Sequence, residues 1–208
     1  MVVKSKRETQ HIDNLPEVLQ VLHLHKLRLN ADKCAFGVGA GKFLGYLITD
    51  RGIEVSPDQI EAVKRLKPPS NPKEVQVLTG MLVALNRFIS KFVNHCQPFY
   101  QLLKKWKGFQ WSEECEKAFQ DLQEYLVQTP MLIALELGED LFMYLSEFGH
   151  AVNAVLLRNQ GVQQPIYYVS KTLVDPEMRY LPLEKLVLAL VYATKKLPII
   201  FKLIPSMY

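Results

Sequence analysis

From Ile60 to Leu126 the apolar residues recur every three or four positions, and beyond about residue 135 they gather into short strand-like runs. This switch most constrains the chain. A helical stretch followed by strands and one more helix requires an α+β arrangement. In the helical stretch, Ser56-Pro57-Asp58 supplies a cap, a first-turn proline and a first-turn acid. Lys67-Pro68-Pro69-Ser70 stops that helix, and Asn71-Pro72-Lys73-Glu74 starts the next with a capping-box pattern. Its stripe is Val75, Leu78, Met81, Leu85 and Phe88. Residues 98–107 read as a short helix. Ser112 caps another that carries Cys115, Phe119, Leu122 and Leu126 on one face, ended by Thr129-Pro130. The strand-like runs are Leu141–Leu145, Ala151–Leu157 and Gln164–Ser170, with a turn at Asn159-Gln160-Gly161. A helix from about Leu183 to Lys196 comes next.

Before Ser56 the pattern is looser. Residues 1–5 read as a strand. Ile12, Leu15, Val18, Leu19 and Leu22 give helical spacing, and Pro16 suggests a helix that starts there with Asn14 as its cap. Residues 41–49, the turn Asp50-Arg51-Gly52 and Ile53-Glu54-Val55 predict one hairpin.

Charge and cysteines exclude several classes. Residues 1–107 hold 17 Lys and Arg against 9 Asp and Glu (+8), and residues 108–208 hold 8 against 12 (−4). Such a split suits a chain with one phosphate-facing part, and equally two ordinary solvated surfaces. Cys34, Cys96 and Cys115 are odd in number and widely spaced, which speaks for reduced thiols. His23 and His25 are two apart, point to different helix faces and have no cysteine near, so no zinc site is expected. The start lacks a signal-peptide core, and no run reaches the roughly 18 apolar residues of a membrane span. The expectation is an intracellular chain, in cytoplasm or nucleus, with no membrane partner.

Several segments in fixed order resemble the reverse transcriptase and RNase H region of gypsy-type LTR retrotransposon Pol polyproteins, especially plant ones. They are Leu29–Gly37 (LNADKCAFG), Phe43–Tyr46 (FLGY), Gly52–Ile60 (GIEVSPDQI), Leu78-Thr79-Gly80 with Leu85–Ser90 (LNRFIS), Phe109–Ser112 with Cys115 and Ala118-Phe119, and Gln164–Leu173 (QPIYYVSKTL). The resemblance implies a partial reverse transcriptase palm with a helical thumb, followed by a truncated RNase H-like mixed sheet with a helix. Its layout is the end of the palm over residues 1–55, the thumb over 56–107, a connection over 108–135 and the RNase H-like unit over 136–208.

The resemblance also implies missing chemistry. Polymerase and RNase H centres both hold two divalent ions, magnesium in this family, on clustered carboxylates. The polymerase aspartates of the family would lie just before residue 1, since Met1–Ser5 resembles the family's segment immediately after them. Ser146 stands where the first RNase H aspartate is expected, and Leu186 where the helix glutamate is expected. Glu147 is next to Ser146 but points to the other face of a strand. Glu184 lies two residues before Leu186, about 200° around a helix from it. The chain is therefore expected to have no catalytic residues, no metal site and no cofactor of its own.

The remaining features point to nucleic acid. Phe43, Leu44, Gly45 and Tyr46 match the family's primer grip, which presses on a strand backbone; otherwise they are a hairpin packing on a core. Lys64, Arg65, Arg87 and Lys91 lie on thumb helices that would track a duplex, or they are solvated helix faces. Met81 replaces the family's usual arginine. Trp106, Phe109 and Trp111 could stack bases or fill a core. The first reading is thus a catalytically inactive fragment of a reverse transcriptase/RNase H polyprotein, with an RNA–DNA or DNA duplex and the rest of Pol as partners. One alternative is a nucleic-acid-binding module. Another is an active RNase H-like nuclease, against which Ser146 and Leu186 count. Because half-covered sheets expose strand edges, residues 56–128 are expected to resist proteolysis best.

Overall fold

In the computed structural model the described residues are all except 1, 2, 4, 6, 7, 44, 105–108, 129, 130, 136, 137 and 199–208; of Glu8 only the backbone is described. The chain runs α1 (Glu8–Leu24), β1 (Gly41–Phe43), β2 (Tyr46–Ile48), β3 (Gly52–Val55), α2 (Pro57–Lys64), α3 (Pro72–Ala84), a 3-10 turn (Asn86–Phe88), α4 (Phe92–Lys104) and α5 (Glu113–Val127). It continues with β4 (Leu132–Ile133), β5 (Leu141–Glu147), β6 (Ala151–Asn159), β7 (Gln163–Thr172), α6 (Asp175–Met178) and α7 (Pro182–Lys196). The class is α+β, as expected. The strands make two sheets, β1-β2-β3-β4 and β5-β6-β7. Every described pairing is antiparallel, which corrects the mixed pairing expected of the second sheet.

Local chemistry explains most boundaries. Asn71 accepts the Glu74 backbone N–H at 3.0 Å and Ser112 accepts that of Cys115 at 3.3 Å, each satisfying an orphan donor of a first helical turn. Glu184 reaches back to accept the Leu181 backbone N–H at 2.8 Å, closing the start of α7.

Four local readings change. Of residues 1–5, the described Val3 and Ser5 lie in no strand. Helix α1 runs through Pro16 from Glu8 instead of starting at Asn14. The bond that Pro16 cannot make leaves the Ile12 carbonyl to water, which is tolerable because Ile12 is 72% exposed. Helix α4 starts at Phe92 with Pro98 inside it, not at residue 98. The single strand read over residues 41–49 is two strands, because Gly45 takes φ +83° and folds β1 back on β2, pairing Phe43 with Tyr46. A Cβ at Gly45 would also meet the Gln59 side chain at 2.4 Å.

One core crosses the expected segment boundaries. Val55, Val63, Leu82, Phe99, Leu122 and Leu132 belong to a single buried cluster that joins the hairpin, α2–α5 and β4, and it extends to Ala151 of β6. Strand β4 closes the first sheet by pairing with β3, Ile53 opposite Leu132. A second core lies between the β5-β6-β7 sheet and α7, built on Leu156, Ile166, Val169 and Ala193. By contrast, Leu22 is the one buried residue among those described in α1, and Ile12 and Leu19 of its stripe are exposed.

Candidate nucleic-acid interface

The second sheet is packed on both faces. Strand alternation sends Met143, Leu145, Leu156 and Ala154 toward α7 and Ser146, Asn153, Tyr168 and Ser170 the other way, as the register shows. On that other face the first turn of α4 docks. Ser170 Oγ accepts the Val93 backbone N–H at 3.1 Å and donates to Asn153 Oδ1 at 2.6 Å. Asn153 Nδ2 in turn donates to Asn94 Oδ1 at 3.4 Å. A serine 77 residues away thus caps α4.

The expected carboxylate positions are occupied by neutral groups with neighbours already engaged. Ser146 lies on β5 opposite Asn153. Glu147 faces α7, where the buried Lys185 ammonium lies 3.9 Å away. Leu186 is half-buried on α7, and Glu184 is held by the helix start. Among the described residues no group of three or more His, Cys, Asp or Glu side chains comes together in a way that could hold a metal ion. The residues present at Ser146 and Leu186 do not fit a magnesium pair, because neither offers an anionic oxygen.

The hairpin residues are tied to the helices. Phe43 is half-buried; Leu44 lies outside the described residues. Gly45 makes the turn, and its carbonyl accepts the Ser56 backbone N–H at 3.3 Å. The Tyr46 hydroxyl donates to the Ala84 carbonyl at 2.7 Å, and its ring lies 5.4 Å from that of Phe88. Tyr46 is therefore anchored on the end of α3, and its hydroxyl is engaged there.

The four cations differ in their surroundings. Lys64 is exposed at the end of α2. Arg65 pairs with Glu61 one turn back at 2.8 Å, an exposed contact of little energetic weight. The Arg87 guanidinium carbon sits 4.9 Å from the centre of the Tyr46 ring and 5.6 Å from that of Tyr167. Lys91, in the left-handed region at φ 49°, places its ammonium 5.2 Å from the Phe148 ring, in the bend between β5 and β6. Its charge and the burial of His95 hold the His95 imidazole below its ordinary value, burial being the larger cause; Asp121 opposes them.

The aromatic residues divide as core chemistry predicts. Trp111 stacks on Phe99 at 5.8 Å and donates its indole N–H to Glu116 at 2.8 Å, so it is a core residue. Phe109 packs half-buried on the first core, and Trp106 lies outside the described residues. Burial pushes the Cys96 thiol up to about 12, which makes it an inert core residue. Tyr167, Ser170 and Asn153 carry interactions that sequence reasoning did not single out. The QPIYYVSKTL segment holds Tyr167 and Ser170, and the strand-like run Ala151–Leu157 holds Asn153.

Known proteins share this arrangement. Residues 111–203 match the family described as the RNase H-like domain found in reverse transcriptase. The Transposon Tf2-3 polyprotein of Schizosaccharomyces pombe is 28% identical over 197 residues, which is 94% of this chain. The chain is thus similar to a segment of a retrotransposon polyprotein. It spans only 15% of the length of that Tf2 polyprotein, and the Tf2-4 polyprotein gives the same figures. The fold matches the foamy viral protease-reverse transcriptase in complex with an RNA/DNA hybrid, with a TM-score of 0.78 at 22% identity over 93% of this chain and 26% of that one. It also matches the foamy viral protease-reverse transcriptase dRH in complex with ds DNA, with a TM-score of 0.77 at 21% identity over 98% of this chain and 36% of that one. No helix among the described residues is long and apolar enough to cross a membrane.

Proposed function

We propose that this segment works as a duplex-holding part of a gypsy-type, plant-like Pol polyprotein and carries no catalytic centre of its own. Its parts are the end of the palm over residues 1–55, the thumb over 56–107, the connection over 108–135 and the RNase H-like unit over 136–208. RNA-directed DNA synthesis and RNase H processing belong to the whole polyprotein, and the partners are an RNA–DNA or DNA duplex and the remaining parts of Pol, inside the cell.

The observation that carries the reading is the chemistry at the two carboxylate positions. Ser146 and Leu186 offer no anionic oxygen, and the nearest acids already face other partners: Glu147 faces Lys185, and Glu184 the start of α7. Two divalent ions need several convergent carboxylates. The duplex-holding part is supported by Lys64, Arg87 and Lys91, exposed or half-exposed cations with no carboxylate within salt-bridge distance among the described residues.

Two measurements test the proposal. The chain, incubated with a labelled RNA–DNA hybrid and magnesium or manganese, should leave the RNA uncut; cleavage abolished by Glu147→Gln would overturn the inactive reading. Affinity for the same hybrid should fall steeply as salt rises, because each phosphate contact releases condensed counterions. A flat response would reject the duplex-holding part.

A further inference from the structure

Arg87 is the place where the hairpin, the helices and the second sheet meet. It stands in the turn after α3, and its guanidinium lies over Tyr46 of the hairpin and over Tyr167 of β7. Tyr46 is itself fixed by its bond to Ala84. The two rings attract the cation through their π faces and accept none of its N–H groups. Arg87 has no hydrogen-bond acceptor and no ion-pair partner among the described residues. It borders a groove of about 320 Å³ between the two sheets. The other described side chains lining that groove, such as Ile53, Leu132, Ile133, Leu135 and Ile166, carry no charge. A half-buried arginine whose donors meet no acceptor among the described residues, on a groove whose other described lining residues carry no charge, presents a planar fork suited to a phosphate.

We infer that Tyr167 is a positioning residue for duplex binding: with Tyr46 it holds the Arg87 guanidinium so that its N–H groups meet a backbone phosphate, and the RNase H-like sheet thereby sets the strength of the duplex grip. This rests on the duplex-holding reading. It adds that the grip depends on docking of β7 against the turn after α3. An arginine left without the Tyr167 face keeps its charge but loses its fixed direction, and ordering it again on binding costs side-chain entropy.

The test is equilibrium binding of the full chain to a short RNA–DNA hybrid over a salt series, with thermal melts of each variant. Arg87→Ala should weaken binding and lower the salt slope by about 1. Tyr167→Leu should weaken binding by about threefold to tenfold, whereas Tyr167→Phe, which keeps the ring face, should bind as the unaltered chain does. Combined with Arg87→Ala, Tyr167→Leu should add nothing. If Tyr167→Leu does not fold, Arg87→Lys carries the test: it keeps the charge and loses the planar stack, and should bind nearer to Arg87→Ala than to the unaltered chain. Should Arg87→Ala weaken binding while Tyr167→Leu or Arg87→Lys leaves it unchanged, the positioning role is wrong and the duplex reading stands. Should the unaltered chain show no salt-dependent binding, both fall together.

Discussion

Removing one oxygen, by Ser170→Ala, should loosen the joint between α4 and the second sheet more than any ordinary serine deletion would. Ser170 Oγ does two things there. It accepts the Val93 N–H, which belongs to the first turn of α4 and sits on a residue only 6% exposed. It also donates to Asn153 Oδ1, on a residue 5% exposed. Loss of a helix-capping oxygen costs about 0.5–2 kcal/mol. A buried acceptor left without its donor costs about 1–3 kcal/mol. Water has little access to either group, so the two losses should nearly add, to about 2–4 kcal/mol. For a chain of this size 1 kcal/mol moves Tm by about 2–4 °C, so a fall of about 5–15 °C is expected. Urea unfolding followed by circular dichroism should show a lower midpoint with an unchanged slope, and Ser170→Thr should recover much of the loss. A change below about 0.5 kcal/mol would refute the argument, because it would mean that water or a rearranged Asn153 replaces both bonds.

The titration of His95 and the pattern of proteolysis are equally open to measurement. Burial and the Lys91 charge hold the His95 imidazole below its ordinary value of 6.5, so the unfolded chain takes up this proton before the folded one does. Stability from this residue is therefore present above pH 6.5 and lost as pH falls below it. Denaturant midpoints at about pH 7.5 and about pH 5.5 should differ less in His95→Gln than in the unaltered chain, and an equal difference would contradict this. Limited proteolysis should cut first between Glu8 and Gly41, where Leu22 is the one buried residue among those described in α1, and should spare residues 52–197 as one block. This replaces the narrower protected region of residues 56–128, because the first core reaches Ala151 and α4 is capped from β7; early cuts between β5 and β7 would restore the narrower view.

The helices from Ser56 to Val127 were legible because each signal is local. A cap, a first-turn proline and apolar residues three or four apart act within one or two turns, and Ser112 and Asn71 both cap their helices. The differences have the same root. Pro16 and Pro98 carry the local mark of a helix start, yet each lies inside a helix, since the single lost bond is outweighed by flanking turns and, in α4, by burial of Phe92 and Cys96. Gly45 splits a strand because it takes a positive φ, and the space a Cβ would need there is filled by Gln59, 14 positions further along the chain.

For the candidate site, the residue types at 146 and 186 were set by the sequence alone, and with them the want of anionic oxygens, since no folding step can add a carboxylate to a serine or a leucine. The sequence likewise determined where α2, α3, α5, α7 and the strands β5–β7 lie, through caps and periodicities that each segment carries by itself. Only the tertiary structure decided that Arg87 lies over two tyrosines 41 and 80 positions away from it, that α4 takes its cap from β7, and that one core runs from the hairpin into the second sheet. Those contacts join residues far apart in the chain. Their energies depend on how whole elements fit against one another, which no short window of sequence records.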